Sequence, residues 1–151
     1  MRYFVGLITV LVLAMPLSAD SMPTWTAEQQ EVIGALQACW DSWYEGFDEW
    51  VETCRPVDDF VAWWPDDSLD ALEDQLRVGR KFREGLEENR FYDISPRAVQ
   101  VFGDTAVVYY KATWWDRQWG EELRAQERRA EVFLRIDGRW CAAGGMVAEV
   151  E

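Results

Sequence analysis

The fold is decided by the stretch from Ser95 to Met146, which reads SPRAVQVFGDTAVVYYKATWWDRQWGEELRAQERRAEVFLRIDGRWCAAGGM. Gly103-Asp104 and Asp137-Gly138 are turn dipeptides, and apolar residues alternate with others on both sides of each turn. We therefore predict four strands, over residues 90–102, 105–116, 124–136 and 139–150. Ser95-Pro96 is expected to interrupt the first strand as a bulge or an edge feature.

A helical segment is predicted well ahead of these strands. Thr26 and Gln29 fit a capping box, so a helix is expected to begin near Ala27. Gly46 is expected to bend this helix or to split it in two. Its apolar side chains recur at gaps of three and four residues, which is typical of one helix face: Ile33, Leu36, Trp40, Trp43, Phe47, Trp50 and Cys54.

Between this helix and the last third of the chain, the sequence predicts one strand and a second helix. Residues 58–64 are apolar with paired aromatic side chains, which favours a strand that Pro65 ends. Residues 66–68 are typical of a helix start, and apolar or small residues then recur at helical spacing from Leu69 to Leu86. The chain is therefore expected to be an α+β domain.

Alternation along the late strands predicts which side chains face the helices. Across the Asp137-Gly138 turn, Arg135 is expected opposite Trp140, Phe133 opposite Ala142 and Glu131 opposite Gly144. If Trp140 points inward, then Arg129, Glu131 and Phe133 do too. The inner row of the two earlier strands is Val99, Val101, Ala106, Val108, Tyr110, Ala112 and Trp114.

The opposite row of the last hairpin is also apolar, and comprises Val132, Leu134, Ile136, Cys141 and Ala143. A sheet that is apolar on both faces needs cover on both faces. Helices would cover one side only. We therefore predict that a second copy of the chain covers the outer face, which makes the protein a homodimer.

The first residues are predicted to be a secretory signal peptide. Arg2 gives a positive start, residues 4–15 are apolar, and Leu17-Ser18-Ala19 suits cleavage. The segment is short for a membrane span, and no stop-transfer charge cluster follows it, so an uncleaved anchor ranks second. Cleavage would leave residues 20–151 as one domain, exported to the periplasm or secreted, with no membrane association afterwards.

Composition excludes several classes of function. The net charge of −13 makes nucleic acid an improbable partner, because an anionic protein repels phosphate. The chain has no His, which removes His-based nucleophile pairs, imidazole metal sites and imidazole general bases. No metal or cofactor is expected. Export permits a disulfide, but the pairing among Cys39, Cys54 and Cys141 cannot be deduced.

At this point the ordered set of segments resembles the nuclear transport factor 2-like superfamily, and within it the SnoaL-like group. The resemblance is carried by the helix around Trp40, by the segments FVAWWP (60–65) and VFGDTAVV (101–108), and by EVFLRIDGRW (131–140). It implies a cone-shaped, curved antiparallel sheet wrapped around a long N-terminal helix, with a pocket at the open end. That fold serves enzymes, ligand binders and interaction modules, so it does not settle the function.

The resemblance also suggests site residues. Ketosteroid isomerase-like members place a general base at the end of the first strand, where this chain has Trp63-Trp64, so the isomerase pattern is not kept. Glu131 lies where such members keep a second inward acid. Limonene epoxide hydrolase-like members use an Arg and an Asp two residues apart, and Arg129 with Glu131 is the nearest match here.

Glu131 is accordingly the first candidate for a functional acid, with Arg129 and Tyr110 beside it as candidate catalytic groups. A carboxylate among aromatic rings has its pKa raised by desolvation, which suits a general base. The structural alternative is an ion pair of Glu131 with Arg129, Arg97 or Arg135. The aromatic candidates for ligand binding are Trp40, Trp43, Trp63, Trp114, Phe133 and Trp140, drawn partly from the ten Trp of the chain.

Three functions fit these observations. The first is an exported protein that binds a small, largely apolar or aromatic molecule, or a cation caged by the Trp rings, in a pocket at the cone mouth. The second is a hydrolase, isomerase or lyase that uses Glu131 as general base. The third is a protein-interaction module whose cone is filled with side chains. The first two predict a cavity, and the third predicts none.

Overall fold

The computed structural model of the protein describes residues 24–150, except for the side chains of residues 88–90. The predicted signal peptide, residues 1–19, lies outside the described residues. Within them there are three helices and six strands. The helices are α1 (Ala27–Glu45), α2 (Phe47–Cys54) and α3 (Leu72–Glu84). The strands are β1 (Val61–Trp63), β2 (Leu69–Ala71), β3 (Leu86–Phe102), β4 (Thr105–Gln118), β5 (Glu121–Ile136) and β6 (Arg139–Glu149).

The strands form one open sheet in the order β2-β1-β6-β5-β4-β3. Neighbouring strands are antiparallel, except that β1 and β6 are parallel. The predicted α+β class is confirmed, and the expectation of an entirely antiparallel sheet is corrected at this one pair. Register shifts within β3 and between β5 and β6 mark bulges, which bend strands and increase their twist.

The first helix begins where the capping box predicts. The Gln29 amide donates to the Thr26 hydroxyl at 3.2 Å, and the Thr26 amide donates to the Gln29 side chain at 2.9 Å. Gly46 separates α1 from α2, so the expected split is confirmed. Of the predicted row, Leu36, Phe47 and Cys54 are buried, and Ile33, Trp40 and Trp50 are partly buried against the core. The first helix also buries Val32, Cys39 and Ser42, which the row did not include, because periodicity gives the spacing of a face and not its width.

The middle of the chain differs most from the sequence-based expectation. The predicted strand over 58–64 shortens to β1, because residues 58 and 59 form a turn. The segment after Asp67 does not enter a helix at once, since β2 first pairs with β1, and Trp63 lies opposite Leu69. The second helix therefore begins at Leu72. Leu86, expected at its end, instead opens β3.

The late hairpins form as predicted, with longer strands. Asp137 and Gly138 both have positive φ, 51° and 75°, as the tight turn of a two-residue hairpin requires. Arg135 pairs with Trp140 and Phe133 with Ala142, as expected. Beyond Phe133 the register shifts, so Glu131 pairs with Gly145 and not with Gly144.

A parallel strand approaches β6 closely where the chain has two consecutive glycines. Gly144 has φ 135°, and a Cβ there would lie 2.0 Å from the carbonyl oxygen of Val61. The small residues of this segment therefore admit the backbone of the neighbouring strand β1.

The closed core lies between α1 and the inner face of β3–β6. Its buried members include Val32, Leu36, Val99, Ala106, Val108, Tyr110, Phe133 and Trp140. A disulfide joins Cys39 to Cys54 with a Cα–Cα distance of 5.1 Å, which ties α1 to α2, and Cys141 is free and buried. Among residues 24–150, no helix is long and apolar enough to cross a membrane.

Candidate functional site

A cavity of about 700 Å³ lies beyond the end of the closed core, between the three helices and β4–β6. Eight aromatic side chains line it, together with a row of polar groups on the sheet side. The aromatic lining residues are Trp40, Trp43, Tyr44, Trp50, Phe60, Trp64, Phe82 and Trp114. The space is therefore mostly apolar, and its polar groups lie on the sheet wall and on the β1–β2 hairpin, from which Asp66, Ser68 and Asp70 line it.

The helical wall of the cavity is a cluster of packed rings. Trp43 meets the Trp50 ring edge-on, with centroids 5.8 Å apart, and lies tilted against Phe82 at 6.0 Å. These rings come from α1, α2 and α3. The close packing needs Gly79, where a Cβ would lie 2.9 Å from the Phe47 ring. Trp43 thus contacts rings from all three helices, because Phe47 and Trp50 come from α2 and Phe82 from α3.

The sheet wall carries three charged side chains that alternate along β5. Glu127, Arg129 and Glu131 all face inward, since strand side chains two residues apart share a face. Arg129 Nε donates to Glu127 Oε2 at 2.7 Å, and its Nη1 lies 3.7 Å from Glu131 Oε1. The Arg129 guanidinium also lies 5.0 Å from the centroid of the Trp40 ring.

Tyr110 connects this charged row to the first helix. Its hydroxyl donates a hydrogen bond to Glu131 Oε1. The same hydroxyl accepts a hydrogen bond from Trp40 Nε1 at 3.2 Å. Tyr110 is buried in the core and does not itself line the cavity. It contacts Glu131 from the core side of that residue.

Burial shifts the proton affinities of these groups. Desolvation raises the pKa of Glu131 above its ordinary value, although Arg129 and Tyr110 act in the opposite direction. Desolvation, and next the charge of Glu131, raises the pKa of Tyr110 well above its usual range. Burial opposes the charge of Arg129, but Tyr110, Glu127 and Glu131 outweigh it and raise the pKa of that guanidinium. Burial thus makes Glu131 a stronger proton acceptor than an exposed Glu.

A second acid, Asp116, lies further along the same wall on β4. It is only 2 % exposed, and the Tyr44 hydroxyl hydrogen-bonds to its carboxylate. Burial raises the pKa of Asp116, against opposing effects of Tyr44 and Arg83. Burial and the charge of Asp116 raise the pKa of Tyr44 as well.

The structure brings together most of the predicted site residues, but not all. Glu131, Arg129, Trp40, Trp43 and Trp114 line the cavity, and Tyr110 lies directly behind it.

Phe133 and Trp140 lie in the closed core instead, because the helix-covered part of the sheet extends over them. Trp63 is 48 % exposed, and its Nε1 donates to Asp67 Oδ1 at 3.3 Å on the edge hairpin. The structure therefore places these three aromatic candidates outside the lining of the cavity.

Sequence reasoning missed Asp116, Glu127 and Tyr44. The period-two pattern contained the first two, because Asp116 continues the inner row after Trp114 and Glu127 precedes Arg129 and Glu131. Tyr44 follows Trp43 directly, and no pattern in the sequence predicts that its side chain lines the cavity. Among the described residues, no group of three acidic or thiol side chains is arranged to hold a metal ion.

The open sheet packed around α1, with a cavity that an acid row overlooks, defines a protein of the nuclear transport factor 2-like fold. No protein-family model and no curated protein matches the sequence of the chain.

Solved structures of the same fold do match it. An NTF2-like protein from Cytophaga hutchinsonii superposes with a TM-score of 0.70 at 16 % identity, covering 83 % of this chain and 100 % of that one. A ketosteroid isomerase-like protein from Erwinia carotovora atroseptica gives 0.69 at 15 % identity, covering 84 % and 99 %. The association domain of C. elegans CaMKII gives 0.63 at 19 % identity, covering 81 % and 95 %. The resemblance drawn from the sequence is thus confirmed as a fold, and the SnoaL-like group is consistent with it.

Proposed function

We propose that the protein binds a small, largely apolar or aromatic molecule in the cavity between the helices and β4–β6. The observation that carries this proposal is the combination of a space of about 700 Å³, an aromatic wall and a limited number of polar lining groups. Small-molecule sites typically have volumes of about 300–1,000 Å³, mostly apolar linings and a few placed polar groups.

The aromatic wall and the charged row on β5 contribute differently to binding. The ring cluster of Trp43, Trp50 and Phe82 offers apolar surface that loses water when a ligand enters. The charged row on β5 offers hydrogen-bonding groups that fix the ligand's orientation. A cone filled with side chains, as an interaction module would have, leaves no such space, so the cavity counts against that alternative.

A neutral fluorescent probe tests this proposal. We expect N-phenyl-1-naphthylamine to bind saturably at one site, with a rise in its fluorescence, because its fused rings match the aromatic wall. Val78 lines the cavity, so Val78→Trp should weaken binding by filling the mouth. Val61 is exposed and lies outside the lining, so Val61→Trp is the matched control. Absence of saturable binding by the folded protein would contradict the proposal.

We also propose that the protein acts after export, with residues 1–19 removed as a signal peptide. Support comes from the charge and hydropathy pattern of those residues. Native mass spectrometry of the exported form measures the mature N-terminus, the mass of any co-purifying compound and the number of subunits in one experiment. A mature chain that still begins at Met1 would contradict export by cleavage.

A second candidate function is acid–base catalysis at Glu131. It is favoured by one observation: the carboxylate has a raised pKa and is hydrogen-bonded by Tyr110, with Arg129 nearby. A neighbour of this fold is ketosteroid isomerase-like, but Trp63 and Trp64 occupy the place of the general base in that pattern. Incubating the co-purifying compound with the protein and with its Glu131→Gln variant, followed by liquid chromatography and mass analysis, tests this candidate. A product formed equally by both proteins would exclude Glu131 as the base.

A further inference from the structure

We infer that the natural ligand of this cavity is an organic ammonium cation, with its charged nitrogen bound at Asp116 and its body against the aromatic wall. The inference rests on the proposed binding function and specifies the chemical class of the ligand.

The first argument is an unused hydrogen-bond acceptor. Asp116 is 2 % exposed, and Tyr44 hydrogen-bonds to its carboxylate. Its Oδ1 atom is buried and has no hydrogen-bond partner among the described residues. Buried acceptors are nearly always paired, because an unpaired one destabilises the fold. Asp116 lines the cavity, so a ligand with an N–H donor supplies the missing partner.

The second argument is the balance of charge around the cavity. Among the described lining residues, Arg129 is the one basic side chain, and it is already engaged by Glu127, Glu131 and the Trp40 ring. The acidic lining residues are Asp66, Asp70, Asp116, Glu127, Glu131 and Glu149. Arg83 lies near enough to lower the pKa of Asp116, but it neutralises only part of this excess. A cleft lined by one sign of charge concentrates ligands of the opposite sign.

The third argument is the aromatic wall itself. The faces of Trp and Tyr rings attract cations, and the attraction grows when the cation is desolvated. Trp114 lies two residues before Asp116 on the same face of β4, and Tyr44 of α1 hydrogen-bonds to Asp116; both rings line the cavity. An ammonium group bound at Asp116 therefore has a carboxylate and aromatic rings as neighbours. A metal ion gains little from such rings, which do not supply ligands for it.

A pair of matched competitors tests the inference. 2-Phenylethylamine and 2-phenylethanol have similar size, and only the first carries a charge at pH 7.5. Each is titrated against the protein loaded with N-phenyl-1-naphthylamine. We expect the amine to displace the probe at a concentration at least about tenfold lower than the alcohol does.

The variant Asp116→Asn keeps the shape of the side chain and removes its charge. We expect it to reduce the amine's advantage to about threefold or less, while the neutral probe still binds. Asp93 is exposed on β3 and lies outside the lining, so Asp93→Asn makes the same change in net charge away from the cavity. The control should keep the full advantage. If both variants lose the amine's advantage over the alcohol to the same extent, Asp116 is not the residue that binds the ammonium group.

The pH dependence of the wild-type protein is a second measurement that does not need a variant. The groups that face Asp116 are Tyr44 and Arg83, and Glu127 and Glu131 lie along the same wall. Burial raises the pKa of Asp116, so lowering the pH from 7.5 to 4.5 shifts Asp116 toward its neutral form, and the amine's advantage should fall while the alcohol's affinity stays constant.

The outcomes separate this inference from the function on which it rests. If the neutral probe binds and the two competitors are equal, the protein is a binder of neutral ligands and the ammonium inference is wrong. If the amine's advantage does not change with pH, the inference is also wrong. If the neutral probe does not bind the folded protein at all, the proposed function itself fails.

Discussion

The hydroxyl of Tyr110 on β4 donates a hydrogen bond to the carboxylate of Glu131 on β5, and it accepts one from the indole of Trp40 on α1. One buried oxygen thus joins the first helix to two strands at the boundary between core and cavity. It holds Glu131 in one orientation. The pair is the point at which the stability of the fold and the chemistry of the cavity depend on the same atoms.

Removing that hydroxyl should affect both properties. Tyr110→Phe leaves the Trp40 indole and the Glu131 carboxylate without this partner, and we expect the free energy of unfolding to fall by about 1–3 kcal/mol. The measurement is urea denaturation followed by Trp fluorescence. Tyr109 is 43 % exposed on the opposite face, so Tyr109→Phe is the adjacent control. It should change stability by less than about 0.5 kcal/mol. A loss of the same size in both variants would show that the buried network adds nothing.

Glu131→Gln tests whether the acid serves a ligand or only the fold. Gln keeps the acceptor for Tyr110 but removes the charge beside Arg129. We expect the fraction of exported protein that carries a co-purifying compound to fall about tenfold in native mass spectra. The exposed Glu121→Gln is the matched change at the far end of β5 and should leave occupancy unchanged. Unchanged occupancy with altered stability in Glu131→Gln would assign the residue a structural role.

The glycine at which β1 meets β6 should not tolerate a side chain. Gly144 has φ 135°, and a Cβ there would collide with the Val61 carbonyl. Gly144→Ala is therefore expected to destabilise the fold by about 1–3 kcal/mol or more, measured by thermal and urea unfolding. In α1, nothing lies within 4 Å of a Cβ placed at Gly34. Gly34→Ala should instead stabilise the fold by about 0.5–1 kcal/mol. Opposite signs in the two variants are the expected result, and a stabilised Gly144→Ala would contradict the close approach.

Stability should respond to pH through Asp116. Burial raises the pKa of Asp116 above the ordinary value that an Asp has in the unfolded chain, so the folded state binds this proton more tightly than the unfolded state does. The contribution of Asp116 to stability is therefore full below that value and is lost as pH rises through the raised pKa. Relative to Asp116→Asn, the wild type should become less stable as pH rises, by less than about 1.4 kcal/mol per pH unit. Urea unfolding at a series of pH values measures the difference. If the difference in the free energy of unfolding between the two proteins does not change with pH, folding does not raise the pKa of Asp116.

The outer face of the sheet is predicted to hold a second copy of the chain. Tyr109 on β4 and Ile136 on β5 are both about half exposed there, and Leu134 precedes Ile136 by two residues in the outer row of β5. We expect a dimer by light scattering at micromolar concentration, and a monomer for Leu134→Arg, because a desolvated charge opposes apolar burial. Gln30→Arg, which adds the same charge at an exposed position of α1, on the other side of the sheet, should leave the dimer intact. A monomeric mass for the wild type by light scattering would contradict the predicted dimer.

The sequence is most informative where local chemistry fixes local geometry. The capping box at Thr26 and the turn at Asp137-Gly138 were both predicted, because each depends on residues a few positions apart. The middle of the chain was less predictable. Residues 58–72 were read as one strand followed by a helix, but their hydrogen bonds are made within a short hairpin and with distant β6.

The candidate site shows the same division. Alternation along β4 and β5 correctly placed Tyr110, Arg129 and Glu131 on the inner face, since side-chain direction repeats every two residues. The same rule placed Phe133 on that face too, but Phe133 is core, whereas Glu127, six residues earlier, lines the cavity. Alternation gives the face of a residue and not its depth under the helices.

The start of the first helix, the two late turns and the inward row of β5 followed from the sequence alone, because caps, turns and side-chain alternation depend on neighbours along the chain. Tertiary structure decided that Cys39 pairs with Cys54, that β1 runs parallel to β6, and that Asp116 lies beside Tyr44 at the cavity. These relationships join residues that are distant in sequence. The boundary between core and cavity lies where α1 stops covering the sheet. The packing of α1 on the sheet in three dimensions determines that position.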